Sequence, residues 1–200
     1  IINEQSYQNN FTNEGGVDGT TRFLKNITGM WLLEQCRKEW DAVGKNYSYP
    51  EIVKMADSVE SFQSLVDPDH SSFANPESML RAITAFCENT GQKAPKGEAE
   101  VIRCIFDSLA LKYKYTLNCL QEMAPFTIEK IHIIGGGSQN KLLNQVTADA
   151  TGITVIAGPS EATAIGNVMV QAKGFGLVNS LDEMRAIIRN SVELEIFSPQ

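Results

Sequence analysis

Long hydrophobic runs are missing from this 200-residue sequence: no apolar stretch approaches the length needed to cross a bilayer. The start, Ile1-Ile2-Asn3-Glu4-Gln5, has neither a basic leader nor a signal-type cleavage site, so the expectation is a soluble protein with no membrane partner. An initiator Met is also lacking, and the start reads as an internal position of a longer chain. Positive charge is scarce: 17 Lys and Arg stand against 24 Asp and Glu, for a net charge of −7 and a pI near 4.9. Counterion release from a phosphate backbone needs clustered cations, so a nucleic-acid partner is excluded. The four cysteines, Cys36, Cys87, Cys104 and Cys119, are too far apart for paired Cys-x-x-Cys zinc ligation, and only two histidines could help. No metal site is expected from them. Sparse, unpatterned cysteines fit a reducing cytoplasm, where they serve as buried apolar fillers. Cys87 and Cys104 belong to neighbouring helices joined by a Pro/Gly/Lys loop, which leaves a bridge on oxidation open.

The hydrophobic content, 42%, and the charged content, 20%, suffice for one good core, and a single globular unit is expected. Thr12-Asn13-Glu14-Gly15-Gly16 and Asp18-Gly19 cluster turn formers and predict a loop or hairpin corner, followed by a short strand over 20–24. From Ile27 to about Trp40 the positions Ile27, Met30, Trp31, Leu33 and Cys36 recur at helical spacing, with Asn26 at the mouth as a candidate N-cap. Residues 43–76 are polar and turn-rich, with one weak helix near 51–59, and read as a peripheral insertion. Helices are predicted over 76–89, with Pro76 in the first turn, and over 98–123, where Ile102, Ile105, Leu109, Tyr113, Leu117 and Leu120 form one apolar stripe. After Pro125 a β-branched run, 128–134, a glycine break, a helix over 140–150 and a second strand, 153–156, make a β-loop-α-β unit. Further helices are expected from about Ser160, as N-cap, and over 181–190. Strands alternating with helices indicate an α/β layer architecture with part of the sheet parallel.

The strongest local signal is Ile131-His132-Ile133-Ile134-Gly135-Gly136-Gly137-Ser138-Gln139-Asn140. A strand ending in three glycines and leading into a helix places bare N–H groups and a positive helix end at one sheet edge. Missing Cβ atoms let a base or a phosphate approach the main chain. The run is neither a Gly-x-x-x-x-Gly-Lys-Ser/Thr phosphate loop nor a complete Gly-x-Gly-x-x-Gly fingerprint. Local physics alone leaves a tight strand-to-helix turn and a ligand site equally open. A second element, Ala157-Gly158-Pro159-Ser160-Glu161-Ala162-Thr163-Ala164-Ile165-Gly166-Asn167, is a strand exit followed by a helix whose small residues admit close packing. The two elements lie one short helix apart, which favours a nucleotide cleft over two unrelated turns. His132 beside the turn reads as a packed, neutral histidine, and His70 carries no signal.

The runs Thr12 to Gly16, Leu24-Lys25-Asn26-Ile27 with Gly29 and Trp31-Leu32-Leu33, Cys104 to Leu111, and Gly135 through Asn167 resemble the FGGY carbohydrate kinase family. The Asn-Glu-Gly-Gly and Cys-Ile-Phe-Asp-Ser-Leu segments are similar to its rhamnulokinase branch. The resemblance implies an α/β, actin/hexokinase-like (ribonuclease H-like) ATPase domain with a mixed sheet flanked by helices. It also implies ATP and Mg²⁺ as cofactors, a small-molecule sugar as substrate, and an N-terminal kinase domain as the partner of this C-terminal half. Gly136 and Asn140 match positions that contact the adenine nucleotide, with Gly135 and Gly137 as local helpers, and Asn26 matches one that reaches the sugar. Glu34 stands at a nucleotide-side position where Gln is usual, and a carboxylate accepts but cannot donate a hydrogen bond. Gln35 points elsewhere on the helix. The family's catalytic base is an Asp of the N-terminal half, so no catalytic residue is assigned here: Asp18, Asp107 and Asp149 read as solvated or capping carboxylates. The implied reaction is phosphorylation of L-rhamnulose to L-rhamnulose 1-phosphate. The alternatives are another FGGY kinase, for fuculose, xylulose or ribulose, and a non-catalytic ATP-binding module.

Overall fold

The computed structural model describes residues 1–200. In chain order the elements are α1 (Glu4–Gln8), β1 (Thr12–Gly15), β2 (Thr21–Leu24), α2 (Trp31–Ala42), α3 (Tyr49–Asp57), α4 (Met79–Asn89) and α5 (Gly97–Met123). They continue with β3 (Lys130–Ile133), α6 (Lys141–Thr151), β4 (Thr154–Ala157), α7 (Ala162–Gly174), α8 (Leu181–Ser191) and β5 (Glu195–Phe197). None of the helices is long and apolar enough to cross a membrane. Where one globular unit was expected, the chain forms two compact units, Ile1–Leu24 with Met123–Gln200, and Lys25–Glu122.

The first unit holds both sheets. β1 and β2 form an antiparallel hairpin in register Thr12 to Leu24 through Gly15 to Thr21. β3 and β4 pair parallel, with Ile131 opposite Val155, and β4 pairs antiparallel with β5, with Val155 opposite Phe197. The three-stranded sheet is therefore mixed, as expected. Helix α6 makes the crossover between β3 and β4, and Ala148, Val155, Ala157 and Phe197 bury together with Ile131 and Ile133 against them. Gly152 ends α6 in the left-handed region at φ 72°, its N–H bonded to the Ala148 carbonyl, which is the conformation a glycine C-cap adopts without penalty.

The second unit is helical. Leu32, Leu33, Cys36 and Trp40 of α2, Met79, Ile83 and Cys87 of α4, and Ile102, Cys104, Ile105, Phe106 and Leu109 of α5 are buried. The Glu39 carboxylate of α2 accepts from the Met79 N–H (2.6 Å) and the Ser78 hydroxyl (2.6 Å), putting a negative charge at the positive end of α4. Segment 43–76, expected as a peripheral insertion, buries Ile52, Ala56, Val66 and Phe73 in this unit. It is also stitched to α5 by the Val66 N–H donating to Ser108 Oγ (2.9 Å). Cys87 and Cys104 are free thiols in hydrogen-bond contact, and that contact, with burial, pushes Cys104 well above the ordinary thiol range. Burial and the Glu39 charge push Cys36 up to about 12.

Several boundaries differ from expectation for local reasons. Of the loop or hairpin corner expected over the first turn formers, the structure has the hairpin, with Thr12–Gly15 as its first strand; β1 is exposed throughout and carries no apolar alternation. Helix α2 starts at Trp31 rather than near Ile27: Gly29 has φ +61°, and Met30, not Asn26, is the N-cap. Ser78 caps α4 by accepting from the Arg81 N–H (3.2 Å), which leaves Pro76 outside the first turn. Ser160 does not cap α7, whose N-cap is Glu161 with no side-chain bond.

Candidate functional site

β3 runs into Ile134 and then Gly135, whose φ of +74° turns the chain sharply into a single 3-10 turn, Gly136–Gln139, and on to α6. The turn is fastened to the β4 exit: the Gly135 N–H donates to the Pro159 carbonyl (3.1 Å) and the Gly158 N–H to the Ile133 carbonyl (2.8 Å). It is closed from within, since both the amide (3.0 Å) and the hydroxyl (2.7 Å) of Ser138 donate to the Gly135 carbonyl. A Cβ on Gly136 would meet nothing within 4 Å, and Gly136 and Gly137 are exposed. The first N–H groups of such a turn have no internal acceptor, so the backbone here is open and donor-rich.

Asn140 closes the turn. Its Oδ1 caps α6 by accepting from the Leu143 N–H (3.1 Å), while Nδ2 is buried with no partner and the residue is only 9% exposed. A buried amide donor without an acceptor is costly unless something polar meets it. One helical turn on, fully buried Asn144 donates Nδ2 to the Ser138 carbonyl (2.9 Å), bracing the glycine turn against α6. Its Oδ1 is also unpartnered. Sequence reasoning did not single out Asn144; its signal is a polar residue at i+4 from Asn140, on the helix face shared with buried Thr147 and Ala148.

Asn26 and Glu34 belong to the other unit. Asn26 is exposed in the irregular stretch between β2 and α2. Glu34, in the first turn of α2, is engaged locally: its carboxylate accepts from the Tyr49 hydroxyl and pairs with Arg37 (3.2 Å), whose guanidinium lies 4.5 Å from the Tyr49 ring centre. That hydrogen bond, then burial and the Glu34 charge, raise the Tyr49 phenol, with Arg37 opposing. Gln35 on the same helix has its Nε2 buried without a partner.

The carboxylates left unassigned by sequence have structural partners. Asp18 pairs with Lys173 (2.7 Å), and Asp149 accepts from Gln145 Nε2 (2.8 Å) and the Gln200 N–H (3.0 Å). Asp107, read from sequence as solvated or capping, is fully buried and paired with Arg103 (2.9 Å) while accepting the Phe62 N–H. Burial raises its carboxyl, and the Phe62 amide and Arg103 partly offset the rise. His132 is exposed on β3 rather than packed, because the sheet's buried face belongs to Ile131 and Ile133. No group of three His, Cys, Asp or Glu side chains is placed to hold a metal ion.

The model of the FGGY family of carbohydrate kinases, C-terminal domain, matches residues 1–175. The chain belongs to this family. Among relatives of this FGGY domain, a rhamnulokinase of Bacteroides thetaiotaomicron is 52% identical over 200 residues, covering 100% of this chain and 40% of its own length. A rhamnulokinase of Bacillus subtilis is 39% identical over 200 residues, again covering all of this chain and 41% of its own. The FGGY chain thus spans about two-fifths of the length of these curated relatives, matching their C-terminal part. Among solved structures, xylulose kinase from Rhodospirillum rubrum superposes with a TM-score of 0.62 over 95% of this chain and 38% of its own, at 16% identity. The fold is the mixed α/β, actin/hexokinase-like fold of FGGY kinases.

Proposed function

We propose that this chain is the nucleotide-side half of an ATP-dependent sugar kinase that converts L-rhamnulose to L-rhamnulose 1-phosphate in the cytoplasm, in partnership with an N-terminal kinase domain. The observation that carries the nucleotide part is the buried, unpartnered Nδ2 of Asn140 beside the open backbone at Gly136. A planar or anionic group fits there: the glycine leaves room for it, the first-turn N–H groups offer donors, and the N-terminus of α6 supplies a positive end. The rhamnulokinase relatives, at 52% and 39% identity, support the sugar.

In this reading Asn140 donates to the nucleotide, Gly136 lets it approach, and Gly135 and Gly137 shape the turn. Asn26 presents its amide to the sugar hydroxyls. Glu34 acts on the nucleotide side as an acceptor only, sharing its carboxylate with Tyr49 and Arg37. When bound, ATP would supply the phosphoryl group and Mg²⁺ would screen the charge of its phosphates. Proton removal from the sugar hydroxyl falls to the N-terminal partner, and catalysis rests on positioning and charge stabilisation.

Amide NMR of the 200-residue chain during titration with Mg-ATP tests the nucleotide assignment. Shifts confined to Gly135, Gly136, Gly137, Asn140 and Glu34 are expected; a dispersed spectrum without them would remove this segment from the nucleotide site. Joined to the N-terminal part of the Bacteroides relative, the chain should turn over rhamnulose in preference to fuculose, xylulose and ribulose. A preference for one of the others would reassign the substrate and leave the nucleotide site standing.

A further inference from the structure

Between β2 and α2 the backbone of residues 26–29 belongs to no strand or helix, and its local backbone bond is the long Trp31 N–H to Thr28 carbonyl contact at 3.4 Å. Asn26 sits here, exposed, so neighbouring side chains do not fix its position. A carboxylate 41 residues away ties the segment down at Thr28: Asp69 Oδ1 accepts both the Thr28 N–H (2.9 Å) and the Thr28 hydroxyl (2.7 Å). The other oxygen, Oδ2, pairs with Lys112 of α5 at 3.0 Å. Lys112 has a side chain only 13% exposed and also holds Asp67 Oδ1 (2.7 Å), the atom that accepts the Asp69 N–H (3.1 Å). Both oxygens of Asp69 are thus committed, one to the loop and one to the longest helix of the unit.

We infer that Asp69 is a positioning residue for sugar recognition, clamping the loop that carries Asn26 through Thr28 and taking its own orientation from Lys112. The inference rests on the reading of Asn26 as a sugar contact. Hydroxyl recognition by an amide tolerates displacements of only about 0.5 Å, and an exposed side chain on an irregular loop reaches that precision only if its backbone is fixed. Burial pushes the Asp69 carboxyl up, but the Thr28 hydroxyl and amide and Lys112 more than offset it and leave it below the ordinary range. The carboxylate is therefore charged throughout the neutral range, as a clamp on an N–H and an O–H donor requires. Asp69 acts on Asn26 from a distance and is not a catalytic residue.

The test uses the kinase assembled from this chain and the N-terminal part of the Bacteroides relative, with Asn26→Ala as the reference. Asp69→Ala should raise the KM for rhamnulose about tenfold, the loss of a charge-assisted hydrogen-bond pair, while the KM for ATP stays within about twofold. Thr28→Val should produce part of that rise, and Thr28→Ser, which restores the hydroxyl, should return the KM close to its original value. Equal shifts of both KM values, or a loss of thermal stability with the rhamnulose KM unmoved, would overturn the positioning role. A neutral Asn26→Ala would overturn both that role and the reading of Asn26. Amide hydrogen exchange in the 200-residue chain then separates the clamp from the reading. Asp69→Ala should speed exchange at Thr28 by about tenfold, and unchanged exchange would show that no clamp exists.

Discussion

Asn140 meets two demands with one amide, since Oδ1 satisfies an orphan N–H of α6 while Nδ2 stays buried and unpaired. The two roles separate in Asn140→Asp, which keeps the shape and the capping oxygen but has no donor. Asp and Asn cap helices about equally, so thermal unfolding should show a stability change within about 0.5 kcal/mol. Calorimetric titration should show ATP affinity down about tenfold or more, from the lost donor and the added negative charge near the phosphates. A full loss of stability would mean that Nδ2 has a structural partner instead. Asp69 makes a pH prediction. Its folded-state carboxyl lies below its ordinary value, so its stabilisation is fully present above the unfolded-state pKa, about 3.9, and is lost as pH falls through the lower, folded-state value. Urea unfolding of the original chain and Asp69→Asn should therefore differ most above about pH 5 and converge below about pH 4. A constant gap would contradict the pairing with Thr28 and Lys112.

Two glycines on either side of the α7 start behave oppositely. Gly158 has φ +109°, and a Cβ there would stand 3.3 Å from the Glu193 carbonyl oxygen, so Gly158→Ala should destabilise by about 1–3 kcal/mol in chemical unfolding. Gly166 lies inside α7, where an added methyl group would meet nothing within 4 Å, and Gly166→Ala should stabilise the chain by about 0.5–1 kcal/mol. The small residues Ala162, Ala164 and Gly166 invited the expectation of close backbone packing, and around Gly166 this chain provides none. Elements were legible where burial imposed a period. The stripe from Ile102 to Leu109 located α5 to within a residue at its start, and α8 begins at Leu181 as expected, where the Ser180 hydroxyl accepts from the Glu183 N–H. The exposed strands β1 and β5 had no pattern to read, since half or more of their residues face solvent. The start of α2 was hidden because Gly29, with a left-handed φ of +61°, interrupts the helical spacing that runs from Ile27. The glycine turn was legible as a strand-to-helix break, whereas Asn144 beneath it became visible only through its burial.

At the scale of the molecule, the chain leaves the first unit after Leu24 and returns to it at Met123, so the second unit, Lys25–Glu122, is one continuous segment between the two parts of the first. The proposed nucleotide contacts at Gly135 to Asn140 belong to one unit, and Asn26 and Glu34 to the other. A general base must lie within hydrogen-bond reach of the hydroxyl it deprotonates and be free to accept the proton. The aspartates that invite such an assignment are engaged elsewhere, Asp18 by Lys173, Asp107 by Arg103 and the Phe62 amide, and Asp149 by Gln145 and the Gln200 amide. The chain spans 40% of the Bacteroides relative, and the resemblance puts the base in the remainder. The purified 200-residue chain should therefore bind ATP or ADP weakly and transfer no phosphoryl group. A coupled assay for ADP, run with and without rhamnulose, should give the same background rate in both. Sugar-dependent ADP release would place a working base within these residues, and Asp107→Ala would not be its test, because breaking that buried pair should itself cost about 3–5 kcal/mol. Substituting the surface carboxylates instead, Asp18→Asn and Asp149→Asn, should leave the chain folded and would show whether either carboxylate is the one responsible.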